Sequence, residues 1–96
     1  MVHFHSFSFK GFGVINHTVP AGAFGVGTTR FSNILGSVAE LDADGERTIG
    51  DANMEILNIA PRANGTVHVR INVGFFKPLN GVVGLVYFPN PSANET

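Results

Sequence analysis

Val67, Val69, Ile71 and Val73 alternate with Thr66, His68, Arg70 and Asn72. An apolar residue at every second position marks a strand with one dry face and one wet face. Asn64-Gly65 stands directly before this run, and both residues tolerate positive φ. The pair is a strong hairpin signal. The stretch Met54–Phe88 therefore reads as strand, turn, strand, loop and strand. Val82, Val86 and Phe88 fall on one side of its last strand, and Val83, Leu85 and Tyr87 on the other. Met54–Ala60 also carries apolar residues at both parities, so both strands are expected to be buried on two faces.

The rest of the chain continues the pattern. Val2–Lys10 is aromatic and β-rich, with Phe7 and Phe9 on the face of His3 and His5. A bulge near His5-Ser6 would bring Phe4 to the same side. Gly11 and Gly13 are expected to break or bend the chain, and Val14–Val19 is a second strand ended by Pro20. Ala23–Gly36 shows no sustained period and is read as two short strands joined by a loop. Ser37–Asp42 fits a strand or a short helical turn. Ala43-Asp44-Gly45 is a tight turn before a short returning strand, Glu46–Ile49, and a second turn over Gly50–Asn53.

Strand signals about every eight to twelve residues, with glycine and proline between them, point to an all-β fold. The expectation is a small antiparallel β-sandwich or barrel, jelly-roll-like, of about seven or eight short strands. Residues 1–89 are expected to form a single β domain, and residues 90–96 a polar, proline-containing C-terminal tail.

Charged residues make up only 14% of the 96 positions, and the formal net charge is −1. A chain with so few charges covers its surface with neutral groups, which favours contact with copies of itself. The charge balance gives no electrostatic reason to expect nucleic acid as a partner. The longest mostly apolar run, Val82–Phe88, is too short for a helical membrane span. Cysteine is absent, which excludes disulfides and thiolate-held metals and fits either side of a membrane. No secretory signal peptide is visible, so localisation stays open.

Three residue sets carry candidate chemistry. His3 and His5 share a strand face, so both rings could reach one transition-metal ion, with His17 or His68 as a third ligand. The plainer reading is two histidines on a frayed first strand, because no partner follows at fixed spacing. Asp42-x-Asp44-x-Glu46 resembles the start of a calcium loop. Arg47 and Asn53 then stand where that loop has its glycine and its bidentate glutamate. A Ca²⁺ site on Asp42, Asp44 and Asp51 is one reading, and a solvated hairpin turn is the other. Phe75-Phe76 precedes Lys77-Pro78, and one of the two rings is expected at an exposed loop rim. No catalytic residue is assigned, no cofactor is required, and an enzyme is not the expected class.

These features leave three functions. The first is a non-enzymatic structural or assembly module, a scaffold or surface component that forms a homo-oligomer through the apolar outer faces of its terminal strands. The second is a small glycan-binding lectin using Asp42, Asp44, Asp51, Asn53, Phe75 and Phe76. The third, a small metal-dependent β-barrel enzyme, rests on the histidines.

Overall fold

The computed structural model describes residues 2–89; Met1 and residues 90–96, which hold the expected tail, lie outside the described residues. Seven strands form: β1 His3–Gly11, β2 Gly13–Val19, β3 Ile34–Leu41, β4 Arg47–Thr48, β5 Asn53–Pro61, β6 Val67–Gly74 and β7 Leu79–Tyr87. They make two antiparallel sheets, a four-stranded one in the order β1-β7-β3-β4 and a three-stranded one in the order β2-β6-β5. No helix occurs among the described residues. The all-β sandwich expected from the pattern is what forms, with a jelly-roll-like winding. The ribbon β1–β7 of one sheet folds over the sandwich to become the ribbon β2–β6 of the other.

Gly13, at φ +71°, turns the chain from β1 into β2 with only Phe12 between the strands. A side chain there would be strained in that left-handed conformation. Beside it, residues 75–78 carry β6 into β7. The bends are neighbours because Gly13 pairs with Val73 and Gly11 with Leu79.

The central strands supply most of the core. Val67, Val69, Ile71 and Val73 of β6 and Val83 and Leu85 of β7 are each no more than 1% exposed. Tyr87 and Val19 join them, and Phe24 plugs one end from the β2–β3 loop. Phe24 lies edge-on to both His5 and Tyr87, with centroids 5.9 Å apart in each pair.

Several expectations change. β1 pairs with β7 from His3 to Gly11 without a register shift, so no bulge forms at His5-Ser6 and Phe4 points outward. The bulge occurs instead in β5, where Leu57 is the extra residue between the pairs Ile56–Ile71 and Asn58–Arg70. That insertion explains the apolar residues at both parities of Met54–Ala60. Met54 and Ile56 face inward before the bulge, and Ile59 faces inward after it, whereas Leu57 is 46% exposed. The strand is not buried on two faces. In β7 the faces divide as read, but the outer one is only half-covered. Residues 20–33 form a loop rather than two short strands, and β3 begins at Ile34.

The two hairpin turns share one design. In Arg62–Thr66, the Gly65 N–H donates to the Arg62 carbonyl (3.0 Å), the Arg62 N–H to the Thr66 carbonyl (2.8 Å), and Gly65 takes φ +87°. In Asp42–Glu46, the Gly45 N–H donates to the Asp42 carbonyl (3.0 Å), the Asp42 N–H to the Glu46 carbonyl (2.9 Å), and Gly45 takes φ +79°. This is a type I turn closed by a left-handed glycine. Only the glycine needs positive φ; Asn64 does not adopt it.

β3 meets the opposite sheet at Gly36. A Cβ there would lie 2.8 Å from Ile56 Cδ1 and 3.0 Å from both Ile59 Cδ1 and Leu85 Cδ2. Gly36→Ala is therefore expected to cost about 1–3 kcal/mol of stability through overpacking, read as a lower urea midpoint.

Candidate functional site

The strand register brings six of the singled-out residues to one end of the sandwich. β1, β3 and β6 end there, and β2, β5 and β7 begin there. Asp42, Asp44, Asp51, Asn53, Phe75 and Phe76 all lie on or beside the loops of that end. Asn53 pairs with Gly74, directly before Phe75. Phe75 is half-buried and Phe76 is 78% exposed, the rim arrangement expected of the pair. Their centroids are 4.4 Å apart, and the Lys77 ammonium stands 6.0 and 5.8 Å from the two rings. Phe12, also exposed, occupies the neighbouring bend.

Asp42 serves the turn. Asp42 Oδ1 accepts hydrogen bonds from the N–H groups of Asp44 and Glu46, each at 2.9 Å. Such a side-chain-to-backbone cap is what an aspartate at the start of a turn normally does. Among the described residues no group of three or more His, Asp or Glu side chains is arranged to hold a metal ion. Behind the same loops, Glu40 Oε1 is buried with no hydrogen-bond partner among the described residues. The carboxylate fills the space beside Gly50, where a Cβ would lie 2.5 Å from that oxygen.

His3 and His5 lie toward the opposite end, on the inner face of the edge strand. They pack as aromatic rings: His3 on Tyr87 (6.1 Å) and His5 on Phe24 (5.9 Å). His17, across the sandwich on β2, stacks on Phe7 with centroids 3.8 Å apart and planes at 13°. His68 points outward on β6 and does not join them.

Burial, and after it the proximity of His5, hold His17 below the ordinary histidine value. The unfolded chain then takes up a proton at His17 before the folded chain does. Stability from this residue is complete above about pH 6.5 and falls as pH drops below that value toward the lowered one. Thermal unfolding is expected at a lower temperature at pH 5 than at pH 7.5. His17→Phe, which keeps the stack on Phe7, should reduce the difference.

Sequence reading expected apolar outer faces on the terminal strands but did not find the row that crosses three strands on the outer face of the four-stranded sheet. Register places Phe4, Val86 and Leu35 side by side across β1, β7 and β3. Phe4 is 71% exposed and Leu35 65%. The next row is Ser6, Gly84 and Ser37, and the row beyond is Ser8, Val82 and Ala39. Small residues beside large ones leave a cleft of about 530 Å³, whose lining includes the apolar row, the small row and Arg47. The one readable sign was the second apolar parity of β7. Phe4 was misplaced by the supposed bulge, and Leu35 lay in a stretch without a period.

The outer face of the three-stranded sheet is different. There Asn16, Asn58, Thr18, His68 and Arg70 are exposed, and Arg70 Nε donates to Asn16 Oδ1 at 2.9 Å. This face is mainly polar, with Val14 (59% exposed) and the bulged Leu57 as its apolar members, whereas on the four-stranded sheet the exposed apolar side chains stand together in one row.

No protein family, no curated protein and no solved structure matches this chain.

Proposed function

We propose that this protein is a non-enzymatic assembly module that associates with copies of itself through the outer face of its four-stranded sheet. The observation that carries the reading is the row Phe4–Val86–Leu35, two of whose members are more than three-fifths exposed. Each sheet of a sandwich has one face in the core and normally turns a polar face to water. The three-stranded sheet follows that rule apart from Val14 and Leu57, whereas the four-stranded sheet gathers its exposed apolar side chains into one row. An apolar face of this kind marks an interaction site. The body measures 43 × 22 × 17 Å, so its broad side is large enough for an interface of about 800 Å² per partner. Mass measurement across a concentration series tests the reading, and Leu35→Glu tests the face.

A second reading is favoured by the convergence of Asp51, Asn53 and the exposed Phe76 at one loop end. Amide and carboxylate oxygens beside an exposed ring suit the hydroxyls and the apolar face of a sugar. A glycan array probed with and without calcium decides it. Binding that is lost in Phe76→Ala supports a lectin, and an array without signal removes that function.

A further inference from the structure

The two sides of the sandwich end differently. On one side the sheets end in β4 and β5. β4 has two residues, and β5 carries the Leu57 bulge and ends in Pro61. Short strands, bulges and prolines are the ordinary protections of a sheet edge against pairing with another chain. On the other side the four-stranded sheet ends in β1. This strand has nine residues, pairs with β7 without a shift, contains no proline, and has Lys10, near its end, as its only Lys, Arg, Asp or Glu. Among the described residues β1 lies at the sheet edge, with β7 as its paired neighbour. Its outward N–H and C=O groups are therefore open to another strand.

We propose that β1 pairs with the β1 of a second copy, antiparallel about a two-fold axis, so that two four-stranded sheets become one of eight strands. The proposal rests on the assembly reading above and adds a second contact to it, at the edge rather than on the face. Overlap of all nine residues, His3–Gly11, centres the axis on Phe7. Phe4 of one copy is then opposite Lys10 of the other. Both side chains are on the outer face, so an ammonium comes to lie beside the exposed ring, a favourable cation–π geometry. The two Lys10 residues stand at opposite ends of the seam and do not repel. A parallel pairing would set them side by side. The apolar rows of the two copies then lie on the same outer side of the joined sheet, at opposite ends of the seam, and both stay open to face contact.

Amide hydrogen exchange read by NMR tests the seam, because face contact alone leaves the edge of β1 open to water. Every second amide of β1 points away from β7. In a strand edge open to solvent these amides exchange fast, and across a paired edge they are protected. The expected result is protection of that alternate set, rising with protein concentration together with the mass. It should persist in Leu35→Glu, which removes the face contact and leaves an edge-paired dimer. Association with fast exchange at these amides overturns the edge pairing and leaves the assembly reading standing. A single-copy mass at every concentration overturns both.

Discussion

Leu85→Ala is expected to lower the unfolding free energy by about 3 kcal/mol. Leu85 is 1% exposed and lies on β7, the strand between β1 and β3. Its inner side chain meets the opposite sheet where Gly36 lets Ile56 and Ile59 approach. Truncation removes apolar contact and leaves a cavity, and the two effects add. A domain of this size has about 5–15 kcal/mol in total, so the loss takes a large share. Leu57→Ala, at the exposed bulge, should stay within about 0.5 kcal/mol. The pair Gly36→Ala with Leu85→Ala should cost less than the sum of the single changes, because the new methyl occupies space that the truncation opens. Urea unfolding of the four variants, with unchanged slopes, measures all of this.

The second large effect concerns association. Leu35→Glu puts a carboxylate at one end of the exposed row, beside Val86 and across β7 from Phe4. In the free chain the change is nearly neutral, because Leu35 is already 65% exposed. Across a buried apolar contact it places a charge in an apolar interface and removes one of the two most exposed anchors of the row. The expected loss is about 2 kcal/mol or more, roughly a thirtyfold weaker contact. Its mass should therefore fall to at most two copies at concentrations where the unmodified chain forms larger species. Asn16→Glu, on the polar outer face of the other sheet, should leave the mass unchanged. Equal masses for the unmodified chain and Leu35→Glu would remove the face from the account.

The sequence was most readable where one strand obeys one period. β6 was legible residue by residue, since it is central and each inward position is filled by Val or Ile. Gly11 and Gly13 likewise announced the bend between β1 and β2. β3 was legible only from Ser37 onward. Its inner face runs Ile34, Gly36, Val38 and Glu40, so a glycine and a glutamate interrupt the apolar alternation. Gly36 is there because the opposite sheet comes too close for a side chain, a relation between residues far apart in sequence. The Leu57 bulge hid a one-faced strand behind a two-faced pattern. Phe24 plugs the core from a loop, where no periodicity applies.

The candidate residues show the same division. Asp42 and Asp44 fit a calcium loop by spacing, yet the hydrogen bonds of Asp42 belong to a hairpin turn that Arg62–Thr66 repeats. His3 and His5 share a face as expected, but each packs on an aromatic ring that the linear order does not place beside it. The outer row needs three strands at once, β1, β7 and β3, and so exists only in the folded sheet.

Sedimentation equilibrium of the unmodified chain, from low to high micromolar concentration, bears most directly on whether the four-stranded sheet covers itself with further copies. The account predicts a mass that rises with concentration to a multiple of the single-chain 10.2 kDa. A mass that stays at one chain throughout would contradict it.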